Sequence, residues 1–318
     1  MGEFELIRRY FFPIAEVGNT SAVLLGPGDD CAIQRVEPGT DLVFSVDTLV
    51  EGVHFPQRYD PEKLGWRSLA VAASDLAAMG ADPVCFTLAL TLPDADPGWL
   101  HAYARGLAKA ARHFGLSLAG GDTTRGPLTL SLQVHGTVPR DQAIRRSGAK
   151  AGDHICVSGT LGDAGAALNY LDNATPGSDE QAALTRYHYP EPRLDLGARL
   201  RGCASAAVDI SDGLVADLGH ILQASGVGAC VDVSKLPVSA ALTRLAGQTA
   251  VNLALNAGDD YELCITISPK AWEGLPGDIR RQLTVIGEVT SGNDLAITHN
   301  GQPRALVAGG YDHFRTDS

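Results

Sequence analysis

The stretch Ala204-Ser205-Ala206-Ala207-Val208-Asp209-Ile210-Ser211-Asp212-Gly213-Leu214-Val215-Ala216-Asp217-Leu218-Gly219-His220 decides how the rest of the chain is read. Ala204–Val208 is a short apolar run of the kind that forms a buried strand. Asp209-Ile210-Ser211-Asp212-Gly213 then turns the chain with two carboxylates and a glycine, ordinary turn residues. A helix follows over Gly213–Ala224. Strand, acidic turn and helix form a unit of α/β proteins, and the carboxyl end of such a strand is where they bind ligands.

Outward from that unit the same alternation recurs. Leu42-Val43-Phe44-Ser45-Val46 reads as a strand closed by Asp47, and Val84–Leu92 and Leu128–Val138 read as two more. Pro61-Glu62-Lys63 opens a helix predicted to run to about Met79, with proline in its first turn. Trp99–Phe114 is a second helix, ended by Gly115. The polar, basic segment from Pro139 to Gly152 reads as a domain boundary. Beyond it, His154–Ser158 reads as a strand and Ala164–Leu171 as a helix. Residues 172–182 read as a polar loop, and Tyr261–Ile267 and Thr284–Val289 as later strands. At about 150 residues per domain, 318 residues make two, expected at 1–148 and 149–318. The halves resemble each other in pattern alone, without a short repeat. The expected class is α/β (α+β), with strands and helices mixed in both domains.

Composition narrows the functions. With 45% hydrophobic and 19% charged residues the chain is neither disordered nor a coiled coil. No apolar run reaches the ~18–20 residues of a membrane helix. The start, Met1-Gly2-Glu3-Phe4-Glu5-Leu6, lacks the basic-then-apolar order of a signal peptide. A cytoplasmic protein without a membrane partner is expected. Lys and Arg number 25 against 37 Asp and Glu, a net charge of −12. That balance argues against a nucleic-acid partner, which needs phosphate-neutralising cations. It leaves small anionic substrates open, because bound metal ions can reverse the sign of a site. The cysteines at 31, 85, 156, 203, 230 and 264 form no Cys-x-x-Cys pair, so reduced, mostly buried thiols are expected.

The chemistry-bearing residues are acids. Gly26-Pro27-Gly28-Asp29-Asp30 is a Gly-rich turn, and Gly120-Gly121-Asp122-Thr123-Thr124 follows the apolar Leu116–Ala119. Asp47, the turn Asp209–Gly213 and Gly258-Asp259-Asp260 complete the set. Each alone reads as a turn or cap; their repetition beside strands points to one purpose. Asp75 is the most telling. At about 100° per residue it falls beside Leu64, Val71 and Met79, apart from a polar stripe of Lys63, Arg67 and Ser74. A carboxylate on an inward face is costly unless a cation meets it. A salt bridge or cap would answer that cost; a metal ligand is the sharper reading. Hard oxygen ligands select Mg²⁺ or Ca²⁺. Mg²⁺ takes one or two carboxylates plus substrate phosphates, so about half a dozen acids imply several ions. Phosphoryl transfer uses metal ions in this way. If the acceptor is itself a phosphate, with a second pKa of ~6, it is ionised near pH 7 and needs no general base. Arg145-Arg146-Ser147-Gly148-Ala149-Lys150 could fork onto a nucleotide phosphate or be a solvated hinge. No P-loop and no protein-kinase signature set is present.

Taken in order, these segments resemble the thiamine-monophosphate kinases. The strings are Gly2-Glu3-Phe4, Gly28-Asp29-Asp30-Cys31-Ala32, Asp47-Thr48-Leu49-Val50 with His54-Phe55, and Ser74–Pro83. They continue with Gly120–Gly126, Arg146-Ser147-Gly148-Ala149, Asp209–Leu214, Asp260-Tyr261-Glu262-Leu263 and Gly310-Tyr311-Asp312-His313-Phe314. The resemblance spans nearly the whole chain. It implies ATP-dependent conversion of thiamine monophosphate to the diphosphate by direct in-line transfer, with ATP as co-substrate. It implies the fold of aminoimidazole ribonucleotide synthetase: an N-terminal mixed-sheet domain that makes a homodimer, and a C-terminal α/β domain. By the same resemblance Asp30, Asp47, Asp75, Asp122, Asp209 and Asp212 match ligands of several Mg²⁺ ions, helped by the backbone near Ser45 and Val46. Gly121, Asp122, Arg146 and Ser211 match nucleotide contacts. His54, Asp260 and an aromatic, Tyr311 or Phe314, match contacts to thiamine monophosphate. No side chain is assigned as a catalytic acid or base. Val46 stands where Thr is common in the family, and Asp260 where Glu is common.

Other readings remain to be tested against this one. A second ATP-using synthetase of the same superfamily is one; a selenophosphate synthetase would pair a reactive Cys with Lys, whereas Cys31 is followed by Ala32 and Ile33. A non-catalytic divalent-ion-binding protein is another. A phosphatase with Asp47 as nucleophile would need a second Asp two residues on, where Leu49 stands.

Overall fold

The computed structural model describes residues 2–17 and 21–305, with the backbone alone for Glu3 and Phe4. The chain divides into two compact units, Met1–Ala143 and Ile144–Ser318. Both mix helices with sheets, so the α/β (α+β) expectation holds.

In the first unit β1 (Val23–Leu25) and β2 (Ile33–Gln34) form a short antiparallel pair. β3 (Thr40–Val50), β4 (Asp82–Leu92), β5 (Ser117–Arg125) and β6 (Thr129–Pro139) make a four-stranded sheet in the order β3-β6-β4-β5. β6 runs antiparallel to both neighbours, while β4 and β5 are parallel and therefore need the helical crossover Pro97–Phe114 between them. The Pro61–Ala78 helix starts where the sequence says it should. The Asp60 carboxylate accepts the N–H of Glu62 and Lys63 at 2.9 and 3.0 Å, and Pro61 takes the first helical position. The two helices cross with their backbones in contact. A Cβ on Gly65 would lie 2.3 Å from the Tyr103 carbonyl oxygen, and one on Gly106 1.9 Å from that of Glu62. They cover one face of the sheet, where Leu130, Leu132 and Val134 of β6 are fully buried. The opposite face is open along β3, with Leu42, Phe44 and Val46 exposed at 41%, 63% and 61%, while β1 and β2 pack over it at Val84, Cys85 and Ala119 and bond His135 through Gln34.

The second unit holds a seven-stranded sheet. Its strands are β7 (His154–Ser158), β8 (Ala204–Asp209), β9 (Gly228–Asp232), β10 (Leu263–Ile267), β11 (Leu283–Thr290), β12 (Leu295–His299) and β13 (Gln302–Arg304), in the order β13-β12-β9-β11-β7-β10-β8. β12 pairs parallel with β9 and the other pairs are antiparallel. The Leu214–Ser225 helix buries Leu214, Leu218, Ile221 and Leu222, the spacing of one apolar stripe.

Four local expectations are corrected. β3 runs on past Asp47 to Val50, and β5 runs through Gly120-Gly121-Asp122 to Arg125, so these two aspartates sit inside strands. Pairing decides this against turn propensity: Asp47 lies opposite Leu132 and Asp122 opposite Ala89. The supposed loop 172–182 ends early, because Ser178–His188 is a helix whose start is held by the Gly177 N–H donating to Glu180 at 2.9 Å. The supposed polar stripe of the Pro61–Ala78 helix is not solvated. Arg67 and Ser74 are 1% and 0% exposed, whereas Asp75 is half-buried. A helix packed on both a sheet and a neighbouring helix has too little free surface for a stripe.

Candidate active site

In the first unit a cavity of about 680 Å³ collects four sequence segments, one of them Thr87-Leu88 of β4. The turn between β1 and β2 supplies Asp29, Asp30 and Cys31. β5 supplies Gly120, Gly121 and Asp122, and the N-terminal helical turns supply Arg8 and Phe12. The volume is that of a small-molecule site. Asp29, Asp30 and Asp122 are all exposed. Asp29 Oδ1 accepts the Asp30 N–H at 2.9 Å, which fixes the turn. At Gly121 a Cβ would lie 2.0 Å from the Leu88 carbonyl oxygen. β5 can approach β4 this closely only without a side chain there, and that brings Asp122 to the cavity wall.

Ser45 and Asp75 are drawn together elsewhere in the same unit. Ser45 Oγ on β3 donates to Asp75 Oδ2 on the Pro61–Ala78 helix at 2.5 Å. Asp47 is two residues along β3 from Ser45 and so shares its face. Val46 points to the other face, leaving its carbonyl as the group it can offer. His54 Nδ1 accepts the Val50 N–H at 2.9 Å, which puts the proton of the neutral ring on Nε2. Among the described residues no three His, Cys, Asp or Glu side chains close on a common point. The oxygen-only donor set of Asp30, Ser45, Asp47, Asp75 and Asp122 nevertheless suits Mg²⁺, which keeps waters and completes its shell with substrate phosphates.

In the second unit two acidic loops are zipped together beyond the β8–β10 pairing. Ile210 N–H donates to the Glu262 carbonyl at 2.8 Å, Tyr261 N–H to Ile210 at 2.8 Å, and Asp259 N–H to Ser211 at 2.9 Å. A Cβ on Gly258 would lie 2.2 Å from the Ser211 carbonyl oxygen. Asp209 ends β8 and is buried, while Ser211 and Asp212 are partly exposed on the turn. That turn is held from inside by Asp217. Its Oδ2 accepts the N–H of Ser211 and of Asp212, both at 3.0 Å. Burial pushes the Asp217 carboxyl up to about 7, although those N–H bonds pull it down. Arg146 is exposed and lies on the segment before β7.

Asp260 is 3% exposed, and both of its oxygens accept the Gly162 N–H, at 3.0 and 2.8 Å. Burial raises its pKa well above the usual carboxylate range. Its neighbour Asp259 is partly exposed, and the Tyr261 hydroxyl donates to Asp259 Oδ1 at 2.9 Å. Asp259 and Tyr261 both have positive φ, 69° and 50°, backbone strain held by the zipper. Glu262 is wholly buried, yet it accepts Ser158 Oγ at 2.5 Å, Arg186 at 2.6 Å and the Arg193 fork at 2.6 and 2.5 Å. Burial pushes the Glu262 carboxyl up, but the two guanidiniums outweigh it and its pKa is lowered. Sequence reasoning gave Asp217 and Glu262 no role. The signal for Glu262 was available: a lone charge in an apolar strand has to be paired. Tyr311 and Phe314 lie outside the described residues.

Comparison with known proteins agrees with this architecture. The family model of the AIR synthase related protein N-terminal domain matches residues 28–138, and that of the C-terminal domain matches residues 150–300. The chain is therefore a two-domain AIR synthase related protein. The thiamine-monophosphate kinase of Escherichia coli K12 is 45% identical over 323 residues, 99% of each chain. The crystal structure of the thiamine-monophosphate kinase from Stenotrophomonas maltophilia K279a superposes with a TM-score of 0.86 at 44% identity, over 96% of this chain and 98% of that one. AaThiL complexed with AMPPCP and TMP superposes at 0.80 and 32% identity, over 88% and 89%. The chain belongs to the thiamine-monophosphate kinase family.

Proposed function

We infer that this chain transfers the γ-phosphoryl group of ATP to the phosphate of thiamine monophosphate, giving thiamine diphosphate and ADP. The observation that carries the reading is 45% identity along 99% of both chains with a thiamine-monophosphate kinase. A related structure bound to AMPPCP and TMP supports both substrates. The acceptor phosphate is largely ionised near pH 7, with a second pKa of ~6, so it attacks without a general base. The chain's task is then to position two polyanions and to oppose their repulsion.

In this reading Gly121 and Asp122 line the nucleotide cavity, and Arg146 and Ser211 contact ATP. Asp30, Asp47, Asp75, Asp122, Asp209 and Asp212 are ligands of several Mg²⁺ ions, joined by Ser45 and the Val46 carbonyl. Magnesium supplies charge neutralisation at the transferring phosphoryl group. The Ser45–Asp75 bond orients one such carboxylate before any ligand arrives. His54 offers Nε2–H to thiamine monophosphate. Asp260, expected from the resemblance to contact thiamine monophosphate, is buried and bonded to the Gly162 N–H. In this reading it holds that turn, and the partly exposed Asp259, which the sequence reading gave no such role, presents the carboxylate of that loop to the thiazolium cation. Tyr311 or Phe314 supplies an aromatic face to the same cation.

The open face of the four-stranded sheet, with Leu42, Phe44 and Val46 exposed, supports a homodimer built on that face, since contiguous apolar surface marks an interface. Among the described residues no helix is long and apolar enough to cross a membrane, and we place the reaction in the cytoplasm, where ATP is made.

Steady-state assay of the purified chain with ATP, Mg²⁺ and thiamine monophosphate tests the reading. ADP and thiamine diphosphate are expected in equal amounts, with no ADP when thiamine monophosphate is left out. ADP formation that responds to an aminoimidazole precursor instead, or no ATP consumption at all, would overturn it.

A further inference from the structure

The Leu214–Ser225 helix touches a proposed ATP-contacting segment at each of its ends, and in both places through a side chain that has no role in the reading above. At its first turn, Asp217 is 2% exposed. Its Oδ2 is not used on the helix's own N–H groups. It accepts the N–H of Ser211 and Asp212, both at 3.0 Å, upstream of the helix. At its last residue, Ser225 Oγ accepts the N–H of Gly148 at 3.1 Å and of Ala149 at 3.2 Å, and donates to the Arg146 carbonyl at 3.3 Å. That segment lies far earlier in the sequence. It is also fastened to β8, where Ala207 N–H donates to the Arg145 carbonyl at 3.0 Å, and a Cβ on Gly148 would lie 2.4 Å from the Ser205 carbonyl oxygen.

Between Asp217 and Ser225 the helix rises about 12 Å, and its buried Leu214, Leu218, Ile221 and Leu222 fix it to the sheet. Side chains that contact substrate work only if the backbone beneath them is held to a fraction of an ångström by packed, hydrogen-bonded supports. Here one rigid element supports two such backbones. Asp212 and Arg146 carry opposite charges, and a drift of either segment would misplace its own charge.

We propose that Asp217 and Ser225 are positioning residues, which set the Ser211–Asp212 turn and the Arg146–Gly148 segment for contact with ATP and its magnesium. This rests on the reading of Ser211, Asp212 and Arg146 given above. The two ends make separable demands. Loss of Asp217 frees the turn that carries a metal ligand, so magnesium dependence should suffer. Loss of Ser225 frees the arginine segment, so ATP affinity should suffer while magnesium dependence does not.

The test uses the full chain as wild type, S225A, D217A and D217E. The readouts are Tm, kcat, KM for each substrate, half-saturating Mg²⁺, and calorimetric affinity for AMPPCP with Mg²⁺. S225A should raise KM for ATP about five- to tenfold, leaving KM for thiamine monophosphate, half-saturating Mg²⁺ and Tm at wild-type values. D217A should raise half-saturating Mg²⁺ or lower kcat by about 10–100-fold, the usual effect of removing a support behind a metal ligand. If D217A does not fold, D217E carries the test: it keeps the charge but displaces the turn by one methylene, and should also shift half-saturating Mg²⁺. Folded variants with wild-type ATP and magnesium dependence would overturn the proposal. A fall in Tm alone, with both dependences unchanged, would also overturn it, because it marks a merely structural role. If the wild type binds AMPPCP with Mg²⁺ but does not phosphorylate thiamine monophosphate, the proposed reaction falls. The positioning roles are then decided by AMPPCP affinity in the same variants.

Discussion

The two units treat their carboxylates in opposite ways. In the first, Asp29, Asp30 and Asp122 stand exposed around one cavity, and among the described residues no cationic side chain is bonded to them. In the second, Asp163, Asp217, Asp260 and Glu262 are 2%, 2%, 3% and 0% exposed, and each accepts hydrogen bonds from the chain itself. Asp163, for example, accepts Thr160 Oγ1 at 2.9 Å and Ser239 Oγ at 2.5 Å. A buried acid bonded to the chain is committed to holding that chain before any ligand arrives. The exposed set awaits cations from outside and these four buried acids hold loops; Asp209, 5% exposed at the end of β8, is the buried acid that the proposed reading gives to magnesium. Between these extremes are Asp75, bonded to Ser45, and Asp259, bonded to Tyr261, each half-buried and oriented.

The sharpest way to break this division is to remove Glu262. Its carboxylate joins Ser158 at the end of β7, Arg186 on the Ser178–His188 helix and Arg193. E262A leaves two guanidiniums without their counter-charge in a buried place, and should cost about 3–5 kcal/mol in urea denaturation. The pH dependence follows from the sign of the shift. A carboxyl with a lowered folded pKa stabilises above its unfolded value of ~4.3, and that contribution is lost as pH falls through the folded value. Asp260, two residues away, has the opposite sign. Its folded pKa is raised, so its contribution is lost as pH rises through the folded value. D260N keeps an oxygen for the Gly162 N–H and should therefore be neutral or stabilising at pH 7. Should D260N unfold the protein while E262A leaves it intact, the two roles are reversed.

Neutralising the exposed Asp122 or the half-buried Asp75 should do the converse. D122N and D75N are expected to lower kcat by about 10²–10³-fold, the scale of losing one electrostatic contact to a developing charge. D122N should leave Tm unchanged, because the Asp122 side chain is exposed. Near-normal turnover in both variants, with bound magnesium unchanged, would remove these residues from the metal set.

The first long helix was plain in the sequence because the cause is local, Pro61 in its first turn; the second was read from Trp99, although Asp96-Pro97 carries the same cap and proline and starts it two residues earlier. Gly115 ends its helix in the left-handed conformation for the same kind of reason, with φ 70°. The strands through Asp47 and Asp122 were cut short because what extends them is a partner strand distant in sequence. The status of each carboxylate was legible least of all. Asp259 and Asp260 are adjacent and chemically identical, and turn propensity suits both. Which one is buried depends on Gly162, about a hundred residues earlier, and on a backbone zipper to Ile210 and Ser211. Arg67 and Ser74 were misread for a related reason: helical periodicity gives the angle around an axis but not how many neighbours surround it.

The smallest expected effect lies on the open sheet face of the first unit, at a titrating group that is not an acid. His135 Nδ1 bonds Gln34 Oε1 at 2.7 Å, and its Nε2 bonds Gln133 Nε2 at 2.9 Å. An amide oxygen can only accept and an amide nitrogen can only donate, so His135 carries its proton on Nδ1 and is neutral. Burial lowers its pKa from the ordinary value. Below the unfolded pKa of ~6.5 the unfolded chain takes up a proton that the folded chain resists, so stability from this site is lost as pH falls through that range. A second proton on Nε2 would face the Gln133 amide group and force it to turn. Tm of H135Q, compared with wild type between pH 7.5 and 5.5, should therefore fall less steeply with acid. Parallel curves would show that His135 does not titrate differently in the two states.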